Sequence, residues 1–255
     1  MQTKKQVISI AGLDPSAGAG LLADIKTFEA NGVYGFGVCS AQTFQNDVEF
    51  AGVIWTQPDC IINQLSPLYG RYKIKWVKIG LIQSLEVLNT LLGYLKSHFP
   101  GVKIIWDPIL SSSSGHTFHE LHGNENLPGL CKNLFLITPN YEEIKELMPG
   151  KTVEEAGKYL ENYCNVLIKG GHNGENFCTD LLFANGKMEK LTSKRLNDQK
   201  HGTGCILSAA ILANLSKGHQ LYDACFLGKE YINSYLQSAN GLLGNHNYHN
   251  EKTYI

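Results

Sequence analysis

Short apolar runs alternate with longer amphipathic segments along most of the chain. Apolar residues recur at helical spacing from Leu21 to Phe28, and Asn31-Gly32 is typical of a helix end. Strands are predicted at Val7–Ala11, Val33–Ala41, Trp76–Ile79, Ile104–Trp106, Leu134–Ile137 and Val166–Ile168. Further helices are predicted at Ser84–Phe99, Tyr141–Leu147, Thr152–Tyr163, Thr203–Ser216 and Leu221–Ala239. This alternation predicts βαβ units, a mostly parallel sheet and an α/β fold.

A hairpin pattern follows the last of these strands. Phe177–Ala184 and Lys187–Leu191 flank Asn185-Gly186, a dipeptide typical of two-residue turns, so we expect a small, exposed β-hairpin. No internal repeat and no linker rich in Pro, Gly and Ser divides the sequence. We therefore expect one domain over residues 1–255, with a polar tail at about 245–255.

Composition narrows the class of protein. The net charge of −1 lacks the basic excess of nucleic-acid binders, so no nucleic-acid partner is expected. Seven cysteines, odd in number and without CxxC spacing, favour a reduced, cytoplasmic protein over a disulfide framework or zinc site. No signal-peptide core and no apolar stretch of ~20 residues is present, so no membrane association is expected.

Three segments at predicted strand-to-helix junctions could carry chemistry. The first, Ala11–Gly20, is rich in glycine and precedes a helix, a setting in which backbone can approach an anionic ligand. It matches neither a P-loop nor a GxGxxG motif, and an ordinary tight turn explains it equally well.

The second segment is Thr138–Glu143, which follows a predicted strand. Ligands of parallel sheets collect beyond the carboxyl ends of strands, so Asn140 and Glu143 could face a metal–phosphate cluster. The same two residues also match a helix capping box, and without further context capping is the better interpretation.

The third segment, His201–Cys205, opens a helix. Its two glycines can turn successive backbone N–H groups toward one anion, and we name the N–H groups of residues 202–205 the anion nest. Cys205 lies in the first turn, where a helix N-terminus is expected to lower the pKa of a thiol. A small buried cysteine without a function is the alternative, but the coincidence of nest and thiol favours a functional site.

The order of these segments resembles the phosphomethylpyrimidine kinases of the ribokinase-like superfamily. The resemblance runs from about residue 7 to about residue 216 and includes residues 78–81 (KIGL), 107–110 (DPIL), 138–143 (TPNYEE), 168–172 (IKGGH) and 201–205 (HGTGC). It implies a ribokinase-like three-layer sandwich, in which helices flank a mostly parallel central sheet. It also implies an ATP-dependent kinase that uses Mg²⁺, acts on a small aminopyrimidine alcohol and forms a homodimer.

The resemblance also implies roles for individual residues. Cys205 would take or polarise the proton of the substrate hydroxymethyl group. Asn140 and Lys169 would lie near the ATP phosphates, and Glu143 would hold Mg²⁺ through water. The transferring phosphoryl group would be bound by Gly202, Thr203 and Gly204, and the pyrimidine pocket would be formed by Gly12, Asp24, Gln45 and Leu81.

Departures from the family pattern bear on substrate choice. They are Ala17 for a common glycine, Leu81 for a common Met, Lys200 for Thr or Asn, Ile206 for Thr, and Ser111–Ser114 for a Val-Ala-Lys-Ser-like run. A pyridoxal kinase on the same scaffold and a pyrimidine sensor without turnover are the alternatives. Ser112 stands where two-cysteine pyridoxal-phosphorylating relatives carry their second cysteine, which together with Gln45 favours the pyrimidine. The intact nest, Lys169 and the Asn140/Glu143 pair argue against a sensor.

Overall fold

The computed structural model describes residues 4–111, 118, 126–170, 177–196 and 199–246. Its strands are β1 Gln6–Leu13, β2 Tyr34–Gln45, β3 Phe50–Trp55, β4 Trp76–Ile79, β5 Lys103–Trp106, β6 Leu136–Ile137, β7 Asn165–Ile168, β8 Phe177–Ala184 and β9 Lys187–Lys194. Its helices are α1 Gly20–Ala30, α2 Pro58–Leu65, α3 Leu85–His98, α4 Leu127–Cys131, α5 Tyr141–Leu147, α6 Val153–Leu160, α7 Thr203–Lys217 and α8 Leu221–Leu236.

All of these strands belong to one sheet, in the order β3-β2-β1-β4-β5-β6-β7-β8-β9. The pairs from β2 to β7 are parallel, whereas β3, β8 and β9 join as antiparallel edges. Six strands therefore end at the same edge of the sheet, and the loops that follow them meet there.

Two hydrophobic cores cover the two faces of the sheet. Side chains alternate between the faces, so that Ile104 packs in one core and its neighbour Ile105 in the other. Apolar residues of α2 to α6 fill the first core, and those of α1, α7 and α8 fill the second. The chain is thus the three-layer α/β sandwich expected from the sequence.

The hairpin differs from the expected one. β8 and β9 do form it around Asn185-Gly186, but β8 pairs with β7 and extends the main sheet. Most of β8 is buried, because Phe183 packs in the first core and Leu182 in the second. The hairpin itself was predicted correctly, but the expectation that it is exposed was wrong for β8. The pattern analysis also missed β3, α2 and α4 and ended β2 four residues too early.

The start of the polar tail is held against α8. The Asn245 N–H donates to Ser238 Oγ at 2.7 Å, and Tyr231 Oη lies 2.8 Å from His246 Nδ1. The rest of the predicted tail, residues 247–255, lies outside the described residues. Within the described ranges, no helix has the length and apolar character needed to cross a bilayer.

Candidate active site

The candidate residues gather where the parallel strands end. Leu81 follows β4, Asp107 directly follows β5, and Lys169 directly follows β7. The N-terminus of α7 faces the same edge, because a Cβ built at Gly204 would lie 3.2 Å from Lys169 Nζ. The second and third sequence segments therefore meet at one site.

Asp14 organises the first segment and joins it to the third. Its carboxylate accepts the backbone N–H groups of Ser16 and Ala19, each at 2.9 Å, and pairs with His201 Nε2 at 2.9 Å. Burial raises the pKa of Asp14, but the hydrogen bonds from His201 and Ser16 outweigh it and hold the pKa below its ordinary value. The loop thus carries a buried carboxylate that fixes its shape.

Gly202 allows the third segment to pack against the first. It has a φ of +74°, and a Cβ there would lie 2.1 Å from the Gly18 carbonyl oxygen. Gly202 is also the N-cap of α7, and no side chain caps that helix end. Backbone N–H groups of the first turn are consequently left for an anion, as the sequence suggested.

Asp107 and Lys169 form the charged centre of the site. Lys169 Nζ donates to Asp107 Oδ1 at 2.6 Å, while Thr138 Oγ1 and Ser208 Oγ donate to the same carboxylate at 3.1 and 3.0 Å. Burial raises the pKa of Asp107, but Lys169 and Lys78 together hold it below its ordinary value. The pair is therefore charged and fixes the lysine beside the nest.

Asn140 and Glu143 form the capping box that was the alternative interpretation. The Asn140 side chain accepts the Glu143 N–H at 2.8 Å, and Glu143 Oε2 accepts the Asn140 N–H at 2.6 Å. Glu143 is nevertheless only 6% exposed and its carboxylate lies 3.9 Å from Lys169 Nζ. Burial raises the pKa of Glu143 to about 7, with Lys169 opposing the shift and Asp107 adding to it. Capping thus holds a partly protonated carboxylate at the site.

Cys205 lies in the first turn of α7, but its predicted pKa was wrong in sign. The thiol is buried, at 7% exposed. Burial raises its pKa to about 11; Lys78 opposes the shift, and Asp107 and Asp24 add to it. Burial disfavours the charged thiolate and is the largest cause of the shift.

Asp24, which was expected in the pyrimidine pocket, is fully buried in an ion pair with Lys78. The carboxylate is fully buried, and both of its oxygens accept from Lys78 Nζ at 2.7 Å. Ser9 Oγ donates to the same group at 2.5 Å. Because these partners occupy the carboxylate, a direct contact between Asp24 and substrate is not supported. The pair lies close to the chain that follows β4, since a Cβ built at Gly80 would be 3.5 Å from Lys78 Nζ.

Gly12 and Leu81 are neighbours, as a shared pocket requires. A Cβ at Gly12 would lie 3.0 Å from Leu81 Cδ2, so a larger residue would displace that side chain. Gln45 is half-buried at the end of β2, opposite Phe50 in the ribbon formed with β3. Thr43 ties this ribbon to the end of β1 by donating to the Leu13 carbonyl at 2.9 Å. The predicted specificity position Ser112 lies outside the described residues.

Sequence reasoning missed Asp14, Lys78 and Asp107 as members of the site. Two of them had a visible signal, since Lys78 interrupts an apolar strand and Asp107 is the first polar residue after another. A charge at such a position needs a buried partner or a ligand. For Asp14 the signal was only its place at the head of the glycine-rich loop.

Two family departures have structural consequences. Ala17 adopts a φ of +56°, a left-handed conformation that glycine adopts more easily than alanine, in line with the glycine expected there from the family pattern. Lys200 is 8% exposed and donates to the Gly241 carbonyl at 2.6 Å, which holds residues after α8 next to His201. Neither residue touches the charged centre.

Comparisons with known proteins agree with this geometry. The family profile described as phosphomethylpyrimidine kinase matches residues 14–250. The hydroxymethylpyrimidine/phosphomethylpyrimidine kinase of Aquifex aeolicus is 34% identical over 245 residues, covering 92% of this chain and 95% of the relative. A crystal structure of phosphomethylpyrimidine kinase from Clostridium difficile is 30% identical, with a TM-score of 0.76 over 91% of this chain and 99% of that one. An ADP complex of Bacillus subtilis pyridoxal kinase, 24% identical, covers 96% and 98% of the two chains with a TM-score of 0.82, which shows a shared fold.

The raised pKa of Glu143 predicts a pH-dependent stability. The folded protein binds the Glu143 proton more tightly than the unfolded chain, so protonation of Glu143 stabilises the fold. This stabilisation is complete below the ordinary pKa of 4.5 and is lost as pH rises to about 7. Without divalent cations, the free energy of unfolding should fall in that interval by up to about 1.4 kcal/mol per pH unit from this group. Urea denaturation of wild type and Glu143→Gln measures the difference, because glutamine keeps the acceptor for Asn140 but does not titrate.

Glu142→Gln is the matched control, since Glu142 is an exposed acid in the same helical turn. It should keep the wild-type slope. Equal slopes for wild type and Glu143→Gln would contradict the assignment.

Proposed function

This chain belongs to the phosphomethylpyrimidine kinase family, and we propose that it transfers the γ-phosphoryl group of ATP to 4-amino-5-hydroxymethyl-2-methylpyrimidine. The same site would phosphorylate the monophosphate of this alcohol, as thiamine diphosphate synthesis requires. One observation carries the proposal: the Lys169 ammonium group lies beside Gly204 at the uncapped N-terminus of α7. A fixed cation and a helix N-terminus that face one point form a binding site for a phosphoryl group.

Phosphoryl transfer depends mainly on positioning and on neutralising charge. In the proposed complex, the anion nest of residues 202–205 and the Lys169 ammonium bind the oxygens of the transferred group. Lys169 can do this without rearrangement, because Asp107 already fixes its side chain at 2.6 Å. The ADP complex of the Bacillus subtilis pyridoxal kinase, which has the same fold, supports the use of an adenine nucleotide.

Cys205 is the proposed partner of the substrate hydroxyl group. The hydroxymethyl oxygen forms a bond to the γ-phosphorus while the bond from that phosphorus to the bridging oxygen of ADP breaks, and the hydroxyl proton passes to an oxygen of the transferred phosphoryl group. Because burial raises the pKa of this thiol to about 11, the sulfur is mostly protonated at neutral pH. Its role is therefore to orient and polarise the hydroxyl group, whose proton is lost late in a loose transition state.

The carboxylates of the site fit a magnesium ion. Glu143 and Asp107 are both buried and share Lys169 as a neighbouring cation. Lys169 does not offset the burial of Glu143, whose pKa stays raised, so the negative charge of the Glu143 carboxylate is not fully compensated. No group of three or more His, Cys, Asp or Glu residues that could bind a metal occurs in the described ranges. The two carboxylates of Glu143 and Asp107 nevertheless suit Mg²⁺, which is commonly held by one or two carboxylates together with substrate phosphates and water. We propose Glu143 as its ligand, through water, with Asn140 near the phosphates; bound Mg²⁺ would neutralise phosphate charge.

The substrate pocket is proposed to lie between Gly12, Leu81 and Gln45. A primary amide presents a donor and an acceptor side by side, which matches the ring nitrogen and exocyclic amine of an aminopyrimidine. Pyridoxal lacks such an edge. Gln45, half-buried at the end of β2, has the chemistry to make this paired contact.

Three further properties rest on the resemblance or on the sequence alone. The homodimeric assembly rests on the resemblance, the cytoplasmic location on the cysteine composition, and the single domain over residues 1–255 on the absence of a dividing repeat or linker. We retain them as proposals, and sedimentation velocity of the purified protein tests the first.

The assignment of substrate is tested by ADP release and product mass. We expect rapid turnover with hydroxymethylpyrimidine and its monophosphate, and a far lower kcat/KM with pyridoxal. Gln45→Leu should cost about 1–3 kcal/mol in transition-state binding of the pyrimidine, since a buried polar edge loses its partners. Gln42→Leu, a change at an exposed position of the same strand, should leave kcat/KM unchanged. Equal turnover of pyridoxal, or undiminished selectivity in Gln45→Leu, would refute the substrate assignment.

Removing the thiol should impair chemistry more than binding. Cys205→Ala is expected to lower kcat about a hundredfold, the lower end of the range for a side chain positioned at the transferring proton, with little change in the Kd of the pyrimidine. Steady-state kinetics and calorimetry separate the two effects. Cys225 is also buried but lies on α8, so Cys225→Ala should keep the wild-type kcat. A near-normal kcat for Cys205→Ala would remove the catalytic role.

The proposed magnesium ligand can be tested through the metal requirement. Glu143→Gln should raise the Mg²⁺ concentration that gives half-maximal rate, because a neutral amide binds the ion more weakly than a carboxylate. Glu142→Gln should leave it unchanged. If the Mg²⁺ dependence of Glu143→Gln equals that of wild type, Glu143 serves only as a helix cap.

A further inference from the structure

A buried ion pair outside the charged centre reaches the chain next to Lys169. Lys229 of α8 donates to Asp180 Oδ2 of β8 at 2.7 Å, and the two residues are 5% and 3% exposed. The other carboxylate oxygen, Asp180 Oδ1, accepts the Gly170 N–H at 2.8 Å. One carboxylate thus links a helix to the residue that follows Lys169.

The chain at Gly170 lies directly against β8. A Cβ built at Gly170 would lie 1.7 Å from the Thr179 carbonyl oxygen, so no side chain fits there. The Gly170 N–H donates to the Asp180 carboxylate. The negative charge of this buried carboxylate is in turn balanced by the Lys229 ammonium group.

Hydrogen bonds from two successive backbone N–H groups, those of Lys169 and Gly170, fix the chain at Lys169. Its N–H donates to the Pro139 carbonyl at 2.8 Å, and the next N–H along the chain is the one bound by Asp180. These two hydrogen bonds define where the Lys169 side chain leaves the backbone. From there it reaches Asp107 and the position beside Gly204.

We propose that Lys229 is a positioning residue for Lys169. Through Asp180 it holds the Gly170 N–H, and with it the backbone from which the Lys169 ammonium reaches the anion nest. This inference rests on the proposed function, in which Lys169 binds the phosphates of ATP.

The charge of Lys229 is what makes the link work. Without it, the buried Asp180 carboxylate would be uncompensated and would have to take up a proton or move toward water. Either change weakens or removes its hydrogen bond to Gly170. The rival explanation is that the pair only anchors α8 to β8, in which case its loss lowers stability without altering nucleotide binding.

Two double variants separate these explanations. Lys229→Met/Asp180→Asn and Lys229→Met/Asp180→Leu both remove the buried charges, but only asparagine keeps an acceptor for Gly170. The Kd of ATP is measured by calorimetry, and the KM values of ATP and of hydroxymethylpyrimidine are measured by ADP release. Ala224→Gly, a buried change on the same helix, controls for lost stability alone.

We expect the leucine double variant to bind ATP about tenfold more weakly than the asparagine double variant, the scale of one lost buried hydrogen bond. The asparagine variant should stay within about threefold of wild type, and Ala224→Gly should bind ATP normally at a reduced Tm. Lys229→Met alone should raise the KM of ATP while the KM of the pyrimidine changes less than about twofold.

Equal ATP affinities in the two double variants would overturn the proposal, and so would equal losses of ATP and pyrimidine binding. ATP binding by a wild-type protein that does not turn over the pyrimidine would refute only the substrate assignment, because the calorimetric comparison still tests the link. A wild-type protein that binds no ATP would overturn both.

Discussion

The buried ion pair between Asp107 and Lys169 is the interaction on which the rest of the site depends. Taking a lysine ammonium and a carboxylate out of water is costly unless their geometry is good and the remaining lone pairs are satisfied. Here the 2.6 Å contact is supported by Thr138 and Ser208, which occupy the other positions around the carboxylate. The result is a cation fixed at the uncapped end of α7 before any ligand arrives. A preorganised charge of this kind stabilises developing negative charge without reorganisation.

Close backbone approach at three glycines lets the segments around the site pack together. Gly202 lies against the Gly18 carbonyl, Gly20 against the Gly12 carbonyl and Gly170 against the Thr179 carbonyl, at separations that no Cβ could tolerate. The glycines at these positions therefore do more than permit unusual dihedral angles. They let backbone pack directly against backbone, both within one loop, as at Gly12 and Gly20, and between segments distant in sequence, as at Gly18 and Gly202.

The fold was largely predictable because its signal is local, whereas the charges of the site were not. Alternation of apolar and amphipathic segments predicted β4 and α5 to the residue, but it missed β3, an edge strand that is apolar throughout yet has no fully buried residue. The pattern also identified the loops that meet, since parallel strands end at one edge. It could not reveal which side chains pair across the site: Lys78 and Asp24 are 54 positions apart, and Lys169 and Asp107 are 62 apart. The sign of the Cys205 pKa shift failed for the same reason, because burial depends on neighbours that the local sequence does not contain.

Asn140 and Glu143 show why capping and catalysis need not be alternatives. A capping box fixes the glutamate side chain against its own helix terminus, and here it does so with a 2.6 Å hydrogen bond from the Asn140 N–H. That restraint keeps the carboxylate within 3.9 Å of Lys169 even though burial disfavours its charge. A flexible glutamate in the same sequence position could turn toward water and leave the site. In the sequence, the capping box argued against a functional role for Glu143. In the structure, the same capping box holds the Glu143 carboxylate where a phosphate-bound cation would need it.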